Sequence, residues 1–210
     1  MIRILVADDH AIVREGLKMI LSQIPDMVVT SEASTGEEVI EKIHKEDINF
    51  VVLDIAMPGR SGLEILKEIK TQRPELPVLI LSMYPEEQYA IRVLKSGASG
   101  YLTKESAPAE LVMAIKRISQ GKKYISPSLA EKLAIDLEVN PDKPPHEILS
   151  DREYQVMCMI ASGKTLKEIA DGLSLSIKTI STYRSRILEK MDMKTNAELT
   201  HYAIKNKLVG

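Results

Sequence analysis

Residues 1–10 read MIRILVADDH. A nearly unbroken hydrocarbon run leads straight into two adjacent carboxylates, Asp8 and Asp9. Neighbouring carboxylates repel each other, and each is costly to withdraw from water unless positive charge compensates. The stretch therefore reads as a buried strand that ends at a charged site, and the rest of the sequence has to supply the compensating charge.

Four more β-branched runs follow, MVVTSEA (27–33), INFVVL (48–53), PVLILS (77–82) and GYLT (100–103). Stretches of helical spacing separate them. In IVREGLKMILSQI, the residues Ile12, Val13, Leu17, Ile20, Leu21 and Ile24 read as one apolar side, and GEEVIEKIHK, LEILKEIKTQ, EEQYAIRVLKSG and AELVMAIKRISQG repeat the pattern. Strands alternating with helices of this length imply βαβ crossovers and a parallel sheet covered on both faces. Burial on both sides explains why VVL and LIL are continuous rather than alternating. The expected fold is α/β, a five-stranded doubly wound parallel sheet in the order 2-1-3-4-5, followed by a small all-α domain.

That second domain is expected from residue 148 to 210. Three capping boxes, Ser150-x-x-Glu153, Thr165-x-x-Glu168 and Thr195-x-x-Glu198, open helices, and a fourth helix spans roughly Ser176 to Met191. Gly172, in DGLSLS, reads as a helix stop, and the short turn gives helix-turn-helix spacing. Between the domains, residues 122–147 read as a linker. It opens with a short helix from Ser126-Pro127 to about Leu137 and ends in the proline-rich EVNPDKPPHEI.

Composition narrows the classes. The chain has 210 residues, 44% of them hydrophobic and 28% charged, with one cysteine. A single thiol excludes an internal disulfide and suits a cytoplasmic protein, and no apolar run is long enough for a membrane span. The opening residues lack a signal-peptide layout. The four histidines show no metal-ligand spacing, so a histidine or cysteine metal site is set aside. The net charge of −2 hides an asymmetry, because residues 148–210 carry 10 basic and 7 acidic side chains. A basic second domain suits a polyanionic partner.

In an open parallel sheet, ligands bind beyond the carboxyl ends of the strands. There the sequence places Asp8 and Asp9 (strand 1), Asp54 (strand 3), Ser82 (strand 4) and Lys104 (strand 5). Three carboxylates with no nitrogen or sulfur donor point to Mg²⁺. A lysine and a hydroxyl beside that ion suit a phosphoryl group. Taken singly, each residue reads as a turn, a cap or a surface charge, and it is their convergence that argues for a site. Two other classes use parts of the same pattern. A Mg²⁺-dependent phosphohydrolase usually has a second acid two residues after its nucleophile, where this chain has Ala56. An interaction module that binds RNA or protein is disfavoured by the helix-turn-helix geometry, and one Phe with no Trp leaves little for RNA base stacking.

The motifs ADDH (7–10), LDIAMPGRSG (53–62), LILS (79–82) and GASGYLTK (97–104) resemble the receiver domain of response regulators. The stretch 148–191, ILSDREYQVMCMIASGKTLKEIADGLSLSIKTISTYRSRILEKM, resembles the helix-turn-helix domain of the NarL/FixJ (LuxR-type) regulators. The resemblance covers essentially the whole chain. It implies a receiver at 1–121 and a two-component transcription factor that is not an enzyme beyond slow self-dephosphorylation. Asp54 would accept a phosphoryl group from a phosphohistidine on a sensor histidine kinase. Asp9, Asp54 and the Ala56 carbonyl would hold Mg²⁺, with Asp8 acting through water. Lys104 and Ser82 would bind the phosphoryl oxygens, and Tyr101 would turn inward behind Ser82. Met83 and Glu105 depart from the residues many receivers carry there.

On the helix SIKTISTYRSRILEKM, Ile180, Tyr183, Ile187 and Met191 form an inward stripe bordered by Leu188. The outward face carries Lys178, Ser181, Thr182, Ser185 and Arg186, flanked by Thr179 and Arg184. Such a face suits the major groove of double-stranded DNA, with Lys164 and Lys167 as backbone contacts. A homodimer on a palindromic promoter site is expected, with the last helix a candidate dimer face.

Overall fold

Five strands pair side by side, all parallel: β1 (Ile2–Ala7), β2 (Met27–Ala33), β3 (Phe50–Leu53), β4 (Val78–Ser82) and β5 (Gly100–Thr103). Their order is β2-β1-β3-β4-β5. The computed structural model describes residues 1–106, 108–126, 129–130 and 144–209. The helices between the strands are α1 (Ala11–Ser22), α2 (Gly36–Lys45), α3 (Gly62–Gln72), α4 (Glu86–Lys95) and α5 (Pro108–Ser119). Every residue of β3 and β4 is buried, which is why those runs are apolar throughout.

Alternate strand residues divide between two cores. Ile4, Val6, Phe50, Val52, Leu79, Leu81 and Leu102 pack with Leu17 and Leu21 of α1 and with Leu111 and Ile115 of α5. Leu5, Val51, Leu53 and Ile80 are fully buried on the opposite face, which right-handed crossovers cover with α2, α3 and α4. Ile12 does not join the core as its sequence suggested; it is 83% exposed. At 100° per residue it sits about 120° from the centre of the Val13, Leu17, Ile20, Leu21 and Ile24 stripe, so adjacency to Val13 was misleading.

The first unit runs through Ala130, beyond the expected boundary at 121. The reason is local. Tyr124 forms a parallel bridge with Gly100 at the edge of β5, its N–H donates to the Ser99 carbonyl, and its hydroxyl donates to Glu110 at 2.8 Å. That residue is buried and belongs to the sheet domain. Ser126 Oγ accepts the Leu129 N–H at 3.2 Å, but residues 127–128, the rest of the expected helix to Leu137 and the proline-rich stretch up to 143 lie outside the described residues.

The second unit, as described, has a 3₁₀ turn (Pro145–Ile148) and four helices: α6 (Asp151–Ala161), α7 (Leu166–Leu173), α8 (Ile177–Lys190) and α9 (Asn196–Lys205). Val156, Met157 and Ile160 of α6 share its core with Ile169, Ile180, Ile187, Leu199 and Ala203. The capping boxes at Ser150–Glu153 and Thr165–Glu168 are complete. At α9 the box is shifted. Thr195 accepts the Glu198 N–H, whereas the Glu198 carboxylate takes the N–H of Lys194, one residue earlier. Gly172 is not the stop of α7. It lies within the helix, and Ser174 takes the left-handed position at φ 54°.

Candidate phosphoacceptor pocket and nucleic-acid interface

The strand order reverses between β1 and β3, so the loops after these two strands part and leave a crevice. Asp8 follows β1 and Asp54 follows β3, with 2% and 1% of their surfaces exposed. Two carboxylates so far from water need a partner, and Lys104, next after β5, provides it. Its ammonium lies 2.6 Å from Asp8 Oδ2 and 2.7 Å from Asp54 Oδ2. The compensating charge that MIRILVADDH required is, in the first instance, this lysine.

Burial pushes the Asp54 carboxyl above the usual carboxylate range; Lys104 and the Ala56 N–H oppose that rise without cancelling it. For Lys104, burial acts downward, but Asp54 and Asp8 more than offset it, and the ammonium is held above its ordinary value. One cation faces three acids, since Asp9 stands beside Asp8. Ligand atoms of Asp8, Asp9, His10 and Asp54 all lie within 4.8 Å of one another. The oxygen-rich donor set with an excess of negative charge fits a hard divalent cation, and it is at an acidic pocket of this kind that receiver domains hold Mg²⁺.

Backbone contacts fix the acids. Ala56 meets the pocket through its N–H, which donates to Asp54 Oδ1 at 3.1 Å. Arg14 donates to the Asp8 carbonyl at 2.7 Å while its Nε holds Glu32 at 3.1 Å, fastening the β1–α1 loop. Gly59, at φ +79°, makes the turn that returns the chain to α3. Gly62, the first residue of α3, lies against the loop after β3: its N–H donates to the Ile55 carbonyl at 3.0 Å, and a Cβ there would stand 2.3 Å from the Asp54 carbonyl oxygen and 2.6 Å from Ile55 Cα. Ser61 and Glu64 lock that helix start with a complete capping box.

Ser82 ends β4 with no exposed surface, its Oγ accepting the Tyr84 N–H at 3.2 Å and its carbonyl accepting the Lys104 N–H at 2.8 Å. Tyr101, one strand over on β5, is already fully buried, and its hydroxyl donates to the Tyr84 carbonyl at 2.7 Å. Burial raises the Tyr101 hydroxyl well above its ordinary range, so it stays a donor. Ser82 and Tyr101 thus grip opposite ends of one peptide residue, Tyr84.

Sequence reading missed three participants. Arg14 and Gly62 carried no signal beyond ordinary helix residues. His10 was dismissed with the other histidines, yet the fold brings its Nδ1 to 2.8 Å from Asp9 Oδ1 and 3.2 Å from Asp8 Oδ1. Its position directly after two acids was the available clue.

In the second unit, α8 starts at the cap Ser176, whose Oγ accepts the Thr179 N–H at 3.0 Å. Ile180, Ile187, Leu188 and Met191 are buried, and Tyr183 is only half-buried, so Leu188 carries more of the inward stripe than its sequence position suggested. Lys178, Ser181, Thr182, Ser185 and Arg186 are exposed, as are Lys164 and Lys167; Thr179 and Arg184 are half-buried. Thr182 Oγ1 donates to the Lys178 carbonyl and Ser185 Oγ to the Ser181 carbonyl. With their protons turned inward, these hydroxyls offer lone pairs outward.

Fold and pocket together define a receiver domain, joined in one chain to a helix-turn-helix domain. The response regulator receiver domain family matches residues 4–116, and the family of bacterial regulatory proteins of the luxR type matches residues 147–203. Response regulator UvrY of Escherichia coli K12 is 37% identical over 210 residues, covering 99% of this chain and 96% of its own. Oxygen regulatory protein NreC of Staphylococcus epidermidis is 37% identical, with 99% of each chain covered. Among solved structures, RcsB of Salmonella enterica serovar Typhimurium bound to promoter P1flhDC with the phosphomimetic BeF₃⁻ has a TM-score of 0.60 and 28% identity, covering 96% of this chain and 97% of that one. The chain belongs to the two-component response regulators, in the NarL/FixJ branch with a LuxR-type C-terminal domain. Among the described residues no helix is long and apolar enough to cross a membrane.

Proposed function

We propose that this chain is a cytoplasmic transcription factor that is switched by phosphorylation of Asp54. The observation that carries the reading is the Asp8–Lys104–Asp54 bridge at the ends of three strands, in a chain that also bears a basic helix-turn-helix. An Asp54 carboxylate oxygen attacks the phosphorus of a phosphohistidine on a sensor histidine kinase. A P–O bond forms, the P–N bond breaks, and the imidazole of the donor recovers a proton. Asp9, Asp54 and the Ala56 carbonyl would hold Mg²⁺, with Asp8 acting through water. The ion, when bound, neutralises charge on the transferring group. Lys104 exchanges carboxylate contacts for phosphoryl oxygens, and the Ser82 hydroxyl leaves the Tyr84 N–H for the same oxygens. Because Tyr101 holds the other side of Tyr84, that exchange reaches the buried ring on β5. Ala56 puts no acid two residues beyond Asp54, which supports a slow-turnover acceptor rather than a phosphohydrolase.

The output is double-stranded promoter DNA. Lys178, Thr179, Ser181, Thr182, Arg184, Ser185 and Arg186 of α8 enter the major groove, and Lys164 and Lys167 meet phosphates. The relative RcsB was solved as two dimers on two parallel DNAs, which supports a homodimer on a two-fold site.

The test combines both halves. Labelling by a small phosphodonor in the presence of Mg²⁺ is expected in the native protein and absent in Asp54→Asn. Retention of promoter-length duplexes should rise on labelling and fall in Lys178→Ala and Arg186→Ala. Labelling that survives Asp54→Asn would remove the acceptor assignment, and duplex retention indifferent to both lysine and arginine changes would remove the reader.

A further inference from the structure

His10 is fixed in place but not used by the helix it precedes. It occupies the N-cap position of α1 in an extended conformation, φ −88° and ψ 108°, yet its side chain makes no capping bond. Its own N–H donates to Asp8 Oδ1 at 2.9 Å, so the ring is held over the acids by the backbone. Nδ1 stands 2.8 Å from Asp9 Oδ1 and 3.2 Å from Asp8 Oδ1.

Lys104 and His10 divide the oxygens of Asp8 between them. The lysine takes Oδ2 of Asp8 and of Asp54, and the imidazole faces Oδ1 of Asp8 and of Asp9. The Oδ1 side is therefore the side without a permanent cation. Donors at right angles around an ion about 2.1 Å away stand about 3.0 Å from each other. The 2.8 Å from His10 Nδ1 to Asp9 Oδ1 is close to that edge length, so a neutral ring could stand next to the Asp9 ligand in one coordination shell, with Asp8 still reached through water. The ring is 61% exposed, which leaves an arriving hydrated ion room to shed water.

We infer that His10 is a nitrogen ligand to the cation held by the acid pocket, and that it biases the site from Mg²⁺ toward first-row transition ions. The inference rests on the proposed reading of that pocket. Imidazole adds little for hard Mg²⁺, but its benefit rises through Mn²⁺, Co²⁺ and Ni²⁺. A site of carboxylates alone would discriminate far less among these ions. The consequence is a receiver whose loading depends on which divalent metal is plentiful.

The experiment uses the full chain with one equivalent of Mn²⁺, read by electron spin echo modulation. Coordinated imidazole nitrogen is expected in the native protein, absent in His10→Gln, and present in His44→Gln as the control histidine. In parallel, His10→Gln should weaken Co²⁺ binding roughly tenfold while Mg²⁺ affinity stays within about twofold, which also shows that the variant is folded. A Mn²⁺ complex without coordinated nitrogen, or nitrogen that persists in His10→Gln, overturns the inference and leaves the phosphoacceptor reading standing. Equal losses for Co²⁺ and Mg²⁺ also overturn it. Failure of the native chain to bind Mn²⁺ at all overturns both, and the phosphodonor labelling tells that case apart.

Discussion

Arg184 of α8 and Asn196 at the start of α9 are joined across the intervening turn, the arginine Nε donating to Asn196 Oδ1 at 2.7 Å. The bond holds the guanidinium through Nε and leaves both Nη groups available for a further acceptor. A preoriented fork loses less freedom when it meets a phosphate or a guanine edge. Asn196→Ala is therefore expected to weaken duplex binding roughly fivefold, about 1 kcal/mol, with a change of only about 0.5 kcal/mol in domain stability. Filter retention and urea titration on the same samples check both parts.

Lys104→Met removes the ammonium that bridges Asp8 and Asp54. Without divalent ions, the receiver should lose about 3 kcal/mol, because buried carboxylates are left uncompensated. Saturating Mg²⁺ at a hundredfold its dissociation constant should return about 2.7 kcal/mol. Urea unfolding with and without Mg²⁺ reads the difference; a variant as stable as the native chain in EDTA would show that the lysine is not the compensating charge.

Gly172 sits inside α7 in ordinary helical backbone, and a Cβ there would meet only Met159 Cε at 3.7 Å. Gly172→Ala should raise the stability of the helical domain by about 0.5–1 kcal/mol, because alanine leaves less backbone entropy to lose. Ser174, in the left-handed position, is the place where glycine would help. Melting curves of the two single variants, each expected to rise, check the assignment.

Glu153 gives the helical domain a pH dependence of known sign. Burial raises its carboxyl, but Lys190 at 2.7 Å and the Ser150 N–H together bring it below the ordinary 4.5. A carboxyl lowered in the folded state stabilises above that ordinary value, and the contribution disappears as pH falls through the folded one. Unfolding free energy should decline between about pH 5 and pH 3 in the native protein and decline less in Glu153→Gln. Equal slopes would place the acid sensitivity elsewhere.

The strands were legible because burial on both faces forces an unbroken apolar code, and the acids at their ends stood out against it. The boundary after residue 121 was not legible, since Tyr124 joins the sheet through a single backbone bridge that leaves no periodic trace. Ile12 misled because an apolar neighbour is not an apolar face. Gly172 misled for a related reason: glycine marks a helix stop only where the backbone turns left-handed, and here Ser174 does so instead. In the pocket, Asp8, Asp54 and Lys104 could be read from strand endings alone. Arg14 and Gly62 could not, because their roles depend on three-dimensional neighbours to which no repeat or spacing points; for His10 the only clue was its place directly after two acids.

The close approach at Gly62 has a mechanical meaning. Side chains between two moving parts act as soft springs, because a rotamer change can absorb a small displacement. At Gly62, where α3 begins beside the Asp54 carbonyl, there is no such spring, only backbone against backbone. A displacement of the Asp54 loop therefore meets the start of α3 with no rotamer at position 62 to absorb it, like the throw of a cam against its follower. The stiffness of that junction would set how much of a displacement beside Asp54 becomes movement in the body of the domain.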